Sequence, residues 1–553
     1  MTRRAGPRRA SGSVLVGLGI FASRVAGLVR EQVSSRVLGL TGPADAFTAA
    51  LRIPNLLQNL LGEGVLSASF VPVYSQLLDE GDKEEAGRVA GAVAALLMVV
   101  TGLGVLAMIA LARPITSLLA FGLSGERFDL AVSLTRIMAL GVGFLVLSAW
   151  CLGVLNSHRR FFLSYVAPVV WNAAQIGVLV VVWALSWELD DVATALAWGV
   201  TAGGAAQLLL QLPATLKLLG GLRLRFARSH PSVRDVRRRF GPALLGRGVV
   251  QLSAFLDLAL ASLLAAGAIA ALAKAQILYT LPVSLFAMSV AAAELPEMSR
   301  LATDGDALAE RAERGVRRVA FWMLLGTVVY VAAGDLVVEL LFEGGKFGAD
   351  DTILVWFVLA AYAVGLPAIG VSRMLQNACF ATGDTKGPAR IAVIRVLVSA
   401  GVGVALMFHL DAVQVGPDGL LGLDDALDRF TPLPSAVREA AAADAAHLGA
   451  VGLAVGSAIG SWVELGLLSG LIRRRVPGMA PVTRSVRTPA VAAAIAFAVT
   501  SVVKLPVDGL PPIIAAPLVV GVAVFVYATV GFRSGVDEAD LLLRPARRVI
   551  WRR

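Results

Sequence analysis

Arg24 and Arg30 stand inside the first apolar stretch of the chain, in FASRVAGLVRE, with apolar runs before them at 14–20 and after them at 37–40. If this stretch crosses a membrane, Arg24 lies about 15 Å beyond Val14 at ~1.5 Å rise per residue. That is close to the middle of a hydrocarbon layer ~30 Å thick. A charge at such depth costs several kcal/mol unless it faces water, a partner or a ligand. Guanidinium is a planar fork of N–H donors that takes phosphate oxygens two at a time, so a pair of arginines suits a pyrophosphate. On a regular helix the two point about 120° apart, and a bend near Gly27 would aim them into one cavity. The competing reading is an internal ion pair with Glu31, Asp45 or Glu63.

A second polar cluster follows in ADAFTAALRIPNLLQNLLGEGVLSASFVPVY. Asp45, Arg52, Asn55, Gln58, Asn59 and Glu63 are too many polar groups for a helix that faces lipid. With Gly62, Gly64 and Pro54 they predict a broken helix lining a cavity, with Pro54 and Pro72 as the points of kink or break. Helix–helix hydrogen bonding would use Asn55 and Gln58 equally well. Farther along, Arg247 and Asp257 fall in a seventh apolar span and Lys274 in an eighth. Asp257, roughly 25 Å past Phe240 at ~1.5 Å per residue, is either an ion-coupling carboxylate or a permanent counter-charge to Arg247 or Lys274. Arg395 and Glu464 read as a structural pair.

The elements that must position these residues are apolar helices. Of 553 residues, 57% are hydrophobic and 16% charged, and the mean hydropathy is +0.76. The apolar content is spread along the whole chain, which identifies an all-α polytopic membrane protein. The basic N-terminus MTRRAGPRRASGS precedes an apolar run with no small-residue cleavage site, so it is read as leading into a retained first span. Apolar segments recur between short polar breaks and predict about fourteen transmembrane helices.

The connections sort by charge. Basic ones hold Arg159 and Arg160, the run 223–239, then Arg311 to Arg318, Arg473 to Arg475 and the tail. Neutral or acidic ones alternate with them at 41–46, 189–191, 343–351 and 411–447. This pattern places both termini in the cytoplasm. The expected organisation is an N-terminal bundle at 1–219, a basic cytoplasmic linker at 220–239, and a second bundle at 240–475. An acidic periplasmic insertion at 411–447 reads as a solvated connection, with a small periplasmic cap as the alternative, and 476–553 carries the last two helices and a basic tail.

The net charge of +10 sits in those loops and tails, so nucleic acid is not expected as a partner. Cys151 and Cys379 give neither a metal spacing nor a disulfide framework. The sequence holds no HExxH, no GxSxG in a strand–helix context and no Walker loop. An enzyme is therefore not expected, nor is a transporter with its own ATPase.

FASRVAGLVRE, the ADAF…RIPNLL…GEG…SFVPVY block, GPALLG, the paired LP motifs and FATGDTKGP together resemble the MurJ (MviN) family of lipid II flippases, in the multidrug/oligosaccharidyl-lipid/polysaccharide exporter (MOP) superfamily. The resemblance covers essentially the whole chain and is most specific in the N-terminal block. It implies two six-helix lobes that open alternately to the two sides of the bacterial inner membrane, plus two C-terminal helices that groove a polyprenyl tail. The implied cargo is an undecaprenyl-pyrophosphate-linked disaccharide-pentapeptide, and cell-wall synthesis proteins are the implied protein partners besides membrane lipids.

By matching motifs, Arg24 and Arg30 fall on two family arginines, with Glu31 in place of an aspartate. Asp45, Asn55 and Glu63 fall on polar family positions. Asp257 falls where some members bind sodium, and Asn377 is a second candidate for that ion. Two family arginines are absent, replaced by Gln58 and by Ile277 in AQILYTLP. Lys274, one turn before Ile277, together with Arg247 and Arg52, is the expected replacement. No cofactor is expected; coupling would come from membrane potential, sodium or protons. The alternatives are an exporter of another polyprenyl-pyrophosphate-linked oligosaccharide, a cation-coupled drug antiporter of the same superfamily, or a membrane scaffold docking through the basic segments.

Overall fold

The computed structural model describes residues 8–221, 231–416, 419–422, 430–440, 446–476, 478–507 and 509–550, with backbone alone at 8–18, 20, 242–254, 439–440 and 545–550. Among the described residues the regular structure is helical apart from one small sheet. Among the described residues twelve helices are long and apolar enough to cross a membrane, so this is a multi-pass membrane protein. Two further helices, α1 (Arg8–Leu38) and α9 (Pro231–Ala261), have 31 residues each.

The chain forms two compact units, residues 1–263 with 344–346, and residues 264–343 with 347–553. In the first, α1 is followed by α2 (Gly42–Leu61), α3 (Glu63–Asp79), α4 (Lys83–Ala110), α5 (Ala112–Leu119), α6 (Gly125–Ser157), α7 (Phe161–Ala184), α8 (Leu189–Leu219) and α9. Small residues bring α6 and α8 together: a Cβ on Gly141 would sit 2.9 Å from the Thr201 Cα, and one on Gly204 would sit 3.0 Å from the Gly141 carbonyl oxygen. Lipid offers no hydrophobic drive between helices, so such close backbone packing and interhelical hydrogen bonds hold them. Ser148 Oγ donates to Gln211 Oε1 at 2.7 Å and accepts from Gln207 Nε2 at 2.9 Å.

The second span is broken, but not where the prolines predict. Pro54 lies inside α2 and Pro72 inside α3. The interruption is at Gly62, whose backbone is extended (φ −86°, ψ −151°). Its N–H still donates to the Gln58 carbonyl at 2.7 Å, and a Cβ there would lie 2.3 Å from that oxygen. Only glycine satisfies that close approach, whereas a helix tolerates proline when neighbouring helices re-satisfy the freed carbonyl. Helix α9 begins at Pro231, within the basic connection, and runs on into the seventh span.

The second unit begins with α10 (Ala268–Pro282), a π-helical turn at Val283–Ala287, α11 (Met288–Arg300), α12 (Gly305–Ala332), α13 (Gly334–Phe342), α14 (Ala349–Ala381) and α15 (Lys386–Asp411). Its tightest seam joins α15 to the helix Gly449–Arg475. Gly452, Gly456 and Gly460 recur every four residues on one face, and a Cβ at Gly456 would come 2.5 Å from the Ser399 carbonyl oxygen. The last two apolar helices, Val482–Lys504 and Pro512–Arg533, pack on α12 through a cluster that includes Phe321, Ala496 and Tyr527; the Tyr527 hydroxyl donates to the Phe321 carbonyl at 2.8 Å. The described parts of 411–447 include a small sheet, with 419–422 exposed. Gln414–Gly416 is the middle strand of an antiparallel three-stranded sheet, flanked by Gly419–Leu421 and Ala446–His447.

Candidate functional site

Helix α1 lies along α7. A Cβ on Gly19 would meet the Tyr165 Cβ at 2.6 Å, and Gly27 faces Asn172. The helix runs unbroken through Gly27. Arg24 is exposed and makes no ion pair among the described residues. Arg30 is half-buried. Its guanidinium pairs with the Glu31 carboxylate and lies 5.1 Å from the centre of the Trp171 ring. That ring is itself fixed, since Trp171 Nε1 donates to the Val200 carbonyl at 3.2 Å. The two arginines therefore differ in kind. Arg30 is seated between a carboxylate and an indole face, an arrangement that stabilises a cation in place. Arg24 keeps its fork of donors open to an anion.

On α2, Asp45 is buried in the first turn and faces Arg127 of α6 at 3.9 Å; Arg127 Nε and Nη2 have no hydrogen-bond partner among the described residues. Asp45 thus ties α2 to α6. Arg52, Asn55 and Gln58 follow as half-buried side chains. At the Gly62 break a cavity of about 410 Å³ is lined by Gln58, Asn59, Glu63, Gly64 and Ser67. Glu63 is exposed in the first turn of α3, where the helix dipole favours a negative charge. Two amides, a hydroxyl and a carboxylate suit hydroxyl and amide donors on a ligand. They do not suit a pyrophosphate, for which this pocket supplies no cation.

The remaining expected residues are elsewhere. Arg247 lies outside the described side chains. Asp257 is half-buried on α9. Lys274 is 6% exposed, with Nζ 5.5 and 5.8 Å from the ring centres of Phe342 and Phe347, while Ile277 one turn later is half-buried. Asn377 is buried, and its amide donates to the Ala291 carbonyl at 2.7 Å. Arg395 and Glu464 do pair, at 3.4 Å, and Gln376 Nε2 donates to the same carboxylate at 2.9 Å.

Two intramembrane arginines were missed. Arg136, on α6, is exposed; Arg373, on α14, is half-buried, with an Nε that has no hydrogen-bond partner among the described residues. The argument that singled out Arg24, a cation inside an apolar run, applies equally to LTRIMAL and VSRMLQN.

Comparison with known proteins fits this architecture. The family model described as lipid II flippase MurJ matches residues 34–416, a stretch that holds Asp45 to Asn377 but starts after Arg24, Arg30 and Glu31. A protein of Rhizobium tropici named probable lipid II flippase MurJ is 33% identical over 402 residues, covering 71% of this chain and 74% of the relative. Among solved structures, a lipid II flippase MurJ in an inward closed conformation superposes with a TM-score of 0.71 at 20% identity, over 96% of this chain and 100% of that one. An inward-facing multidrug resistance MATE family transporter of the MOP superfamily gives a TM-score of 0.61 at 15% identity, over 83% and 95% of the two chains. This chain belongs to the MurJ lipid II flippase family, a family of membrane transporters and not of enzymes.

Proposed function

We propose that this protein carries lipid II, the lipid-linked peptidoglycan precursor, from the inner to the outer leaflet of the bacterial cytoplasmic membrane by alternating access. The observation that carries the reading is the family match over residues 34–416. The twelve apolar spans together with α1 and α9 make fourteen crossings, with both termini in the cytoplasm as the loop charges require. The lobes are 1–219 and 240–475, joined through 220–239, with the acidic insertion at 411–447 outside and 476–553 carrying the final two helices. Arg24 is the primary contact for the pyrophosphate, and Arg30 and Arg52 extend it. Asn55 and Gln58, with the pocket at Gly62, meet hydroxyls and amides of the head group. Arg247 and Lys274 supply positive charge from the later helices, and Asp257 with Asn377 holds a coupling ion. A ligand shifts an equilibrium only through different affinities for the two states, so the pyrophosphate must be held more weakly once the cavity opens outward.

A second reading, export of a different polyprenyl-pyrophosphate-linked oligosaccharide, is favoured by Gln58 and Ile277 at positions where the family pattern has arginine. A bacterium depleted of its own lipid II flippase separates the two. Expression of this chain should restore growth and the appearance of lipid II in the outer leaflet. A chain present in the membrane at normal levels that restores neither would sink the lipid II assignment.

A further inference from the structure

A second cavity of the first unit, about 850 Å³ in volume, takes no part in the site above. Its size is that of small-molecule sites, ~300–1,000 Å³. It is built where the C-terminal ends of α3, α6 and α8 meet the N-terminal ends of α4 and α7. Lys83, Arg159, Arg160 and Lys217 stand in its wall, and no carboxylate does. None of the four makes an ion pair among the described residues.

Two further features mark the place. Arg159 has φ +59°, a backbone that a side-chain-bearing residue rarely adopts, and its N–H closes the turn onto the Asn156 carbonyl at 2.9 Å. Strain of this kind collects at functional positions. His158 hydrogen-bonds the Tyr74 hydroxyl at 2.9 Å. Its ring is pushed below its usual 6.5 by burial and then by the charges of Lys83 and Arg160, a local report that the cavity's field is positive. Next to the cations the wall turns apolar with Phe161, Phe162 and Leu163, and Phe162 is 57% exposed.

We propose that this cavity binds an acidic phospholipid, its phosphate held by Lys83, Arg159, Arg160 and Lys217 and its glycerol and upper acyl chains laid on Phe161, Phe162 and Leu163. Phosphate alone would satisfy the cations and leave the exposed phenyl ring beside them uncovered, whereas a lipid satisfies both. The N–H groups in the first turn of α7 have no carbonyl partner within their own helix and add to the attraction for an anion. The inference rests on the membrane character of the helices and not on the identity of the cargo.

The test is lipid retention by the purified full-length protein, exchanged into mixed micelles of phosphatidylglycerol or phosphatidylcholine and read by native mass spectrometry. Wild type should keep phosphatidylglycerol in preference to phosphatidylcholine. Arg160→Gln and Lys217→Gln should each lower that retention roughly fivefold, the worth of one cation near an anionic lipid. Arg159→Gly removes a cation while supplying a residue that suits the turn, so it should lose retention with no fall in melting temperature. Equal retention of the two lipids, or retention unchanged in all three variants, overturns the proposal. So does complete displacement of the lipid by an equal concentration of inorganic phosphate, which would make this a site for the free anion.

Discussion

The two units treat charge inside the membrane differently. In the second, the cations are mostly answered within the fold. Lys274 stands beside two phenyl rings, Arg395 meets a Glu464 that is 2% exposed, and Lys504 pairs with Asp335 beside Trp356. In the first, Arg24 and Arg136 stay exposed and Glu63 opens onto a polar pocket. A charge with a built-in partner fixes helices in register. A charge left open is available to something that comes and goes. The division has exceptions on both sides, Arg30 with Glu31 and Asp45 with Arg127 in the first unit and Arg373 in the second, and these are where the comparison is most easily broken.

The largest effect should come from an open charge. Arg24→Ala is expected to lower transport about 10- to 100-fold, because hydrogen bonds to a charged group are worth about 1.5–3 kcal/mol, and to leave the melting temperature unchanged because no partner is stranded. Outer-leaflet labelling of the flipped lipid at matched protein levels measures the first, and a thermal melt in detergent the second. A variant that melts early while flipping normally per folded molecule would reverse the assignment. Next in size is a closed charge. Glu464→Ala strands the Gln376 amide and Arg395 and should cost about 1–3 kcal/mol of stability, toward the lower end because Arg395 is 34% exposed and water can reach it. Its transport per folded molecule should match wild type.

Much of this was legible in the sequence, and the failures have one cause. Helix positions, the polar character of 45–63 and the Arg395–Glu464 pair all follow from hydropathy and residue type. What one dimension does not carry is the partner. Arg24 and Arg30 look equivalent in FASRVAGLVRE, yet only the second has Trp171, 141 positions away, under its guanidinium. Lys274 reads as a substitute for a missing arginine, and nothing in AQILYTLP shows that Phe342 and Phe347 stand beside it. Gly62, Gly64, Pro54 and Pro72 all offer themselves in the sequence as places for the break; the deciding contact, a Cβ against the Gln58 carbonyl, exists only once the helix is built.

Lys274 gives a smaller and sharper test. Lys274→Met keeps the volume of the stem and removes a cation beside two ring faces, a contact worth ~0.5–2 kcal/mol. Transport per folded molecule should fall a few-fold, less than for Arg24→Ala, since a lysine offers a point charge and not a fork. A folded Lys274→Met protein that transports like wild type would show that this cation only fixes helices, and the contrast between the units would then be sharper.

The smallest effect reads the field of the first unit directly. His158 titrates below 6.5 in the folded protein, first through burial and then through Lys83 and Arg160. Below that value the unfolded chain binds a proton that the folded one refuses, so stability rises with pH. The contribution is complete above about pH 6.5 and is lost as the pH falls beneath it. Lys83→Gln or Arg160→Gln should move the ring back toward its ordinary value and flatten the dependence of melting temperature on pH between about 5 and 7, the range in which histidine changes charge. Burial is the larger cause, so the restoration should be partial, and His158→Gln should remove this ring's share of the slope. A ring titration followed by NMR that is unmoved in both cation variants would mean that neither charge reaches the cavity, and that this end of the first unit is screened and not open.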